Sequence, residues 1–190
     1  VSSQPGEPHA TVLVNRAPFL TLWATVVAKR MGYAEDEALT LGKALAGLTA
    51  QSKGRRLGIY EPRPERQARM EADRDKLGAQ TVEFMDRSVP CLRTVDGLRA
   101  LTGTSPIRPE RVRTYLQTKF KEDLPAVERR LTALASTFEP DELEGQAMGV
   151  YLQLRPAVPA GRVGWGQAGV LDLAEIDKLI QVRQALHRPV

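Results

Sequence analysis

Arg113, Gln117 and Lys121 stand four residues apart in a segment that opens at Pro109. In a helix that spacing puts them on one face. Arginine and glutamine can hydrogen-bond base edges, and lysine can neutralise phosphate. Arg108 and Arg111 add positive charge where the segment begins. A second basic group, Lys53, Arg55 and Arg56, is joined by Arg63, Arg66 and Arg69. Tyr60 lies among them and offers a ring on which a base can stack. The chemistry these residue types suggest is recognition of a polyanion. The plainer alternative at both places is a solvated polar face or linker.

The distribution of charge supports the first reading. Eight basic residues fall between Arg87 and Lys121, opposed only by Asp96 and Glu110. Between 122 and 155 the sign reverses, with seven acids against Arg129, Arg130 and Arg155. Such asymmetry can generate a one-sided field. The net charge of +4 and pI of about 9.4 permit nucleic acid as a partner without demanding it.

Other chemistries find little support. The only histidines are His9 and His187, and no histidine is near Cys91 in sequence. A Cys–His couple or a histidine-based zinc site is therefore not expected, and Cys91 reads as a packing residue. Gly42-Lys43 is similar to the end of a phosphate-binding loop. However, Ala44 stands where Ser or Thr should hold magnesium, and Glu37 where the earlier glycine belongs. The glycine-rich stretch from Gly161 to Gly169 has no strand before it, and reads as a loop that docks Trp165 onto the core. Glu139, Asp141, Glu142 and Glu144 suit a solvated first helical turn. No cofactor, metal or catalytic constellation is expected.

A single cysteine excludes an intrachain disulfide and fits a reducing compartment. The first residues carry neither a basic n-region nor an apolar h-region. No stretch approaches the roughly 18 consecutive apolar residues of a membrane span. A cytoplasmic protein with no membrane contact is expected.

The elements that must position the basic groups are mostly helices. Phe19, Leu22, Trp23, Val26, Val27 and Met31 recur at helical spacing after Pro18, and Gly32 ends that helix. The next helix opens on Glu35, Asp36 and Glu37, with Gly42, Ala46 and Gly47 small enough for close helix approach. The two helices fit a helix-turn-helix template through Val27, Ala28, Met31, Gly32 and Leu41. The three acids would repel phosphate, so a structural helix pair is the expectation. Thr81–Met85 and Ser88–Leu92 flank Asp86-Arg87 as a hairpin whose Pro90 predicts an edge strand. Short helices are predicted from Val95 and from Pro109. Amphipathic helices are predicted through Leu124–Phe138 and Leu143–Leu154. A last helix is predicted from Asp172, with Glu175 completing an acidic capping box.

The segment from Asn15 to Ala24, with Ala38–Ala44 and Ser52-Lys53-Gly54, resembles a family of uncharacterised bacterial proteins. The resemblance extends toward Gly164-Trp165-Gly166. It implies a bacterial, cytoplasmic origin and a compact helical unit, and it carries over no functional residue.

The expected fold is mainly α, a compact bundle of six to eight helices with a small β-hairpin. A flexible arm (1–14) precedes a single domain (15–186). That domain comprises a helical hairpin (15–60), a charged linker and helix (61–77), a hairpin plus helices (81–155), and a Gly/Pro loop with the C-terminal helix (156–186). The expected function is binding of DNA or RNA through Arg108, Arg111, Arg113, Gln117 and Lys121 together with Lys53, Arg55 and Arg56. The alternative is a non-catalytic adaptor that associates with itself or with a protein partner.

Overall fold

No charged residue falls between Arg16 and Lys29, so the first helix is apolar on every side and must be surrounded. The computed structural model describes residues 10–160 and 167–187. Its elements run β1 (Thr11–Val14), α1 (Arg16–Arg30), α2 (Glu35–Arg56), α3 (Pro64–Lys76), β2 (Gln80–Phe84), β3 (Arg87–Thr94), β4 (Gly97–Thr102) and β5 (Ser105–Pro106). There follow α4 (Pro109–Phe120), a 3-10 turn (Lys121–Asp123), α5 (Leu124–Ser136), α6 (Pro140–Leu154), β6 (Gly169–Asp172) and α7 (Leu173–Leu186). The fold is mainly α. Among the described residues no helix is long and apolar enough to cross a membrane.

Every residue of α1 from Pro18 to Ala28 is buried. Its Thr21 and Thr25 hydroxyls donate to the carbonyls of Ala17 and Thr21, at 2.9 and 2.7 Å, so burial leaves them satisfied. Trp23 is fully enclosed and its Nε1 donates to the Ala147 carbonyl at 2.9 Å, which ties α1 to α6. Trp165, also expected to dock on the core, lies outside the described residues.

The small residues of α2 divide in two. A Cβ on Gly42 would stand 2.5 Å from the Thr25 hydroxyl and 2.6 Å from the Thr21 carbonyl. Ala46 is buried as well, but Gly47 faces outward with open space around it. The close approach of α1 and α2 is therefore made at Gly42, and the expectation that Gly47 shares it is corrected.

The expected hairpin is one part of a larger sheet. Strands β2, β3, β4 and β5 pair in that order as an antiparallel meander. The β2–β3 turn falls at Met85 and Asp86, both at positive φ (46° and 62°), the conformation a two-residue hairpin requires. The short helix predicted from Val95 is not formed. Leu98–Leu101 is instead the buried middle of strand β4, since three apolar residues around Arg99 are too few to declare a period. Pro90 is also not in an edge strand, because β3 lies between β2 and β4. The register with β4 starts only at Cys91, so at Pro90 the pairing with β4 has ended.

A second, two-stranded sheet joins the chain's ends: Val12 pairs with Leu171 and Val14 with Gly169. Both strands fall in segments expected to be arm and loop. At Gly169 a Cβ would stand 2.8 Å from the Pro156 side chain, which fixes glycine there.

Helix α7 begins where predicted, with the Asp172 side chain accepting from the Ala174 N–H at 2.9 Å. Glu175 pairs with Lys178 at 2.6 Å. Deeper on α7, buried Arg183 lies 3.4 Å over the Phe138 ring and donates to the Thr137 carbonyl and to Glu142 at 2.8 Å.

Gly42→Ala is expected to destabilise the fold by about 1–3 kcal/mol through this overpacking. Gly47→Ala should stabilise it by up to ~1 kcal/mol, by helix propensity alone. Denaturant titration of the two variants checks the contrast. The hydrogen bond from Arg183 is the main cause holding the Glu142 carboxyl below its ordinary range. Its contribution to stability is complete above the unfolded carboxyl value near 4.3, and fades as pH falls through the lower folded value. The gap in melting temperature between wild type and Glu142→Gln should narrow as pH falls below that value.

Candidate functional site

The basic residues predicted to act together fall in two places. On α4, Val112, Leu116 and Phe120 point into the core, leaving Arg108, Arg111, Gln117 and Lys121 exposed. Arg108 pairs with Glu110 at 2.8 Å. Arg113 is engaged by α2: it ion-pairs with Asp36 and comes within 3.9 Å of Glu35. Lys121 leaves the helical face, because the chain turns there at φ 53° into the 3-10 turn. The four-residue series thus loses its first member to an ion pair and its last to a turn.

The acids that argue against a DNA-reading α2 have a structural use. Strand β5 is only two residues long, so it leaves β4 amides at Leu98 and Ala100 without strand partners. Glu37 Oε2 accepts from the Leu98 N–H at 2.7 Å, and the Thr40 hydroxyl oxygen accepts from Ala100 N–H at 3.1 Å. Glu37 Oε1 also accepts from Ala34 N–H at the helix start, at 3.1 Å. Lys43, of the Gly42-Lys43 pair, covers the Tyr115 ring of α4 at 3.8 Å. Its ammonium is shifted down by burial first and by Lys119 second. Cys91 is enclosed, and burial pushes its thiol up to about 11, as suits a packing residue. Among the described residues no three His, Cys, Asp or Glu side chains are grouped to hold a metal.

The other basic group borders a cleft of about 650 Å³. Its walls come from the start of α1, the C-terminal half of α2 and the C-terminal half of α6. Lys53 and Arg56 line it; Arg55 lies outside, 5.8 Å from the exposed Tyr60 ring. Three more cations reach the same cleft: Arg16, Arg87 and Arg155. No Asp, Glu, His or Cys lines it among the described residues. Leu20, Ala46, Ala50 and Met148 supply apolar wall, and Leu57, Ile59 and Leu152 are more than half exposed along it.

Arg16, Arg87 and Arg155 escape a reading of sequence alone, since they lie far apart along the chain. Arg16 does carry a signal. It is the first residue of α1, at the positive end of the helix dipole, where an acid is favoured and a cation is not. Its Nε donates to the Pro156 carbonyl at 2.9 Å just beyond α6. Burial first, then the neighbouring Arg155, lowers its pKa. Two polar atoms of the lining, Thr49 Oγ1 and Gln167 Oε1, are buried without a hydrogen-bond partner. Native structures rarely leave such atoms unsatisfied, so each asks for a ligand or water.

Compared with protein families, curated proteins and solved structures, the chain matches none. The reading of the site accordingly rests on its geometry.

Since Arg113 is occupied by Asp36 and Glu35, Arg113→Ala should cost about 1 kcal/mol of stability or less. It should leave the affinity for anions unchanged. Chemical unfolding and anion titration of the same variant check the two halves.

Proposed function

We propose that the protein binds an anionic ligand in the cleft between α1, α2 and α6, without performing chemistry on it. The observation that carries this reading is the lining: among the described residues, five cations and no carboxylate around a largely apolar cavity. Like charges gathered on a concave surface focus a positive potential and raise the local concentration of anions. The volume falls in the ordinary range of small-ligand sites. Among the described residues the lining offers no group that exchanges protons near neutrality, which favours binding over catalysis.

Nucleic acid is the second reading of the same positive side. Arg55, Arg63, Arg66 and Arg69 are all exposed beyond the cleft, and Tyr60 is exposed beside Arg55. A single strand could set phosphates on these arginines and stack a base on Tyr60. DNA or RNA is the partner this reading implies, with Arg111 and Gln117 of α4 and Lys121 just after it a separate group that a longer strand would have to reach.

The test is calorimetric titration of the whole chain with dodecyl phosphate, dodecanoate and a short single-stranded oligonucleotide, at low and at higher salt. At least one should bind, more weakly as salt rises. The double variant Lys53→Glu, Arg56→Glu reverses two of the cleft's charges and should weaken binding about tenfold or more, a difference of ~1.4 kcal/mol, through the field of the cleft even for a head seated elsewhere in it. No binding of any anion at low salt, or binding indifferent to the double variant, would overturn the reading.

A further inference from the structure

We infer that the cleft seats a singly headed anionic amphiphile, its carboxylate or phosphate monoester between Arg16 and Arg155 and its apolar body against Leu20, Ala50 and Met148. This rests on the reading of the cleft as an anion site and adds the class of ligand.

Three observations converge on it. First, Arg16 and Arg155 line the same cleft, Arg16 bonds the carbonyl of Pro156, the residue after Arg155, and among the described residues neither has a carboxylate partner. Arg155 follows α6, where a cation suits the negative end of the dipole; Arg16 has no such compensation. An anion between the two guanidiniums would compensate both. It would also face the first N–H groups of α1, which have no partner within the helix. Second, the unsatisfied Thr49 hydroxyl can donate to an anionic head or accept from a protonated one. The Gln167 amide adds another polar contact in the same lining. Third, much of the rest of the wall is apolar. Leu57, Ile59 and Leu152 are exposed by 56%, 63% and 53%, and they border one cavity. Apolar surface gathered at one place marks a binding site. A polyanion would use the cations and leave this wall bare, whereas an acyl or aromatic body would cover it.

The experiment compares dodecyl phosphate, dodecanoate, dodecanol and inorganic phosphate on the whole chain, all below micellar concentrations. A single-stranded oligonucleotide is titrated in parallel. The charged amphiphiles should bind at least about tenfold more tightly than dodecanol or phosphate alone, a difference of ~1.4 kcal/mol. The better of the two heads identifies the source chemistry. Arg155→Met should abolish the preference over dodecanol while leaving dodecanol binding in place. Arg155 is exposed, so the variant should fold, and its melting temperature confirms it. Ala50→Phe should fill the cavity and weaken all amphiphiles without changing phosphate binding. Dodecanol binding as tightly as dodecanoate would overturn the head-group seat. An oligonucleotide that binds through Lys53 and Arg56 while no amphiphile does would overturn this inference and spare the broader anion reading. Failure of every anion would overturn both.

Discussion

The separation of α1 and α2 is set at Gly42, where the backbone of one helix meets Thr21 and Thr25 of the other with no room for a methyl group. Everything else is arranged on that pair. α1 is apolar all round and cannot face water, so α2, α4, α5 and α6 must enclose it. The two threonines permit this closeness because their hydroxyls bond back along their own helix. A larger pair of side chains at the crossing would push α2 outward. The sheet that α2 caps and the cleft that α2 walls would then move with it.

The N-terminal end of α2 shows how one acidic run can serve two purposes. Glu35, Asp36 and Glu37 suit the helix dipole and so are legible as a helix start. Their second use is tertiary. Glu37 satisfies an amide that the two-residue β5 leaves unpaired, and Asp36 and Glu35 hold Arg113. A pattern of residues four apart predicts a shared face, and α4 does form at Pro109 as expected. It cannot tell whether a basic face meets solvent or an acidic neighbour from another element. That is why the helix was readable and the state of Arg113 was not.

The same limit explains which elements were visible. α1, α2, α5, α6 and α7 announce themselves by period, by glycine or by capping residues close to them in sequence. The β2–β3 hairpin is local too, though its turn falls one residue before the expected place, since Met85 and Asp86 both take positive φ. Strand β4 carries Leu98, Ala100 and Leu101 around Arg99, a pattern too short to tell a strand from a helix. Strands β1 and β6 pair across most of the chain, and each is too short for its alternation to stand out. The cleft is the extreme case. Lys53 and Arg56 form a visible cluster, but Arg16, Arg87 and Arg155 join them only through the packing of α1, the hairpin and α6. Of these three, Arg16 alone carries a local signal, as a cation placed against a helix dipole.

The helices that wall the cleft are tied to one another. α1 and α2 are locked at Gly42, and α6 is tied to α1 by the Trp23–Ala147 hydrogen bond. The Phe19 and Tyr151 rings stack at 6.1 Å across the α1–α6 boundary, and Tyr151 then forms part of the cleft lining. Arg16 is anchored through Nε to the Pro156 carbonyl, so its guanidinium is held in place before any ligand arrives. Ordering flexible groups is a main cost of binding, so a guanidinium held in this way would lose little freedom on meeting an anion. Arg16 reaches the cleft from the start of α1 and Arg155 from the end of α6, so the ties between these helices also set where the two cations stand in its lining. The core packing that holds these two cations together is therefore also what would make the cleft selective for negative charge.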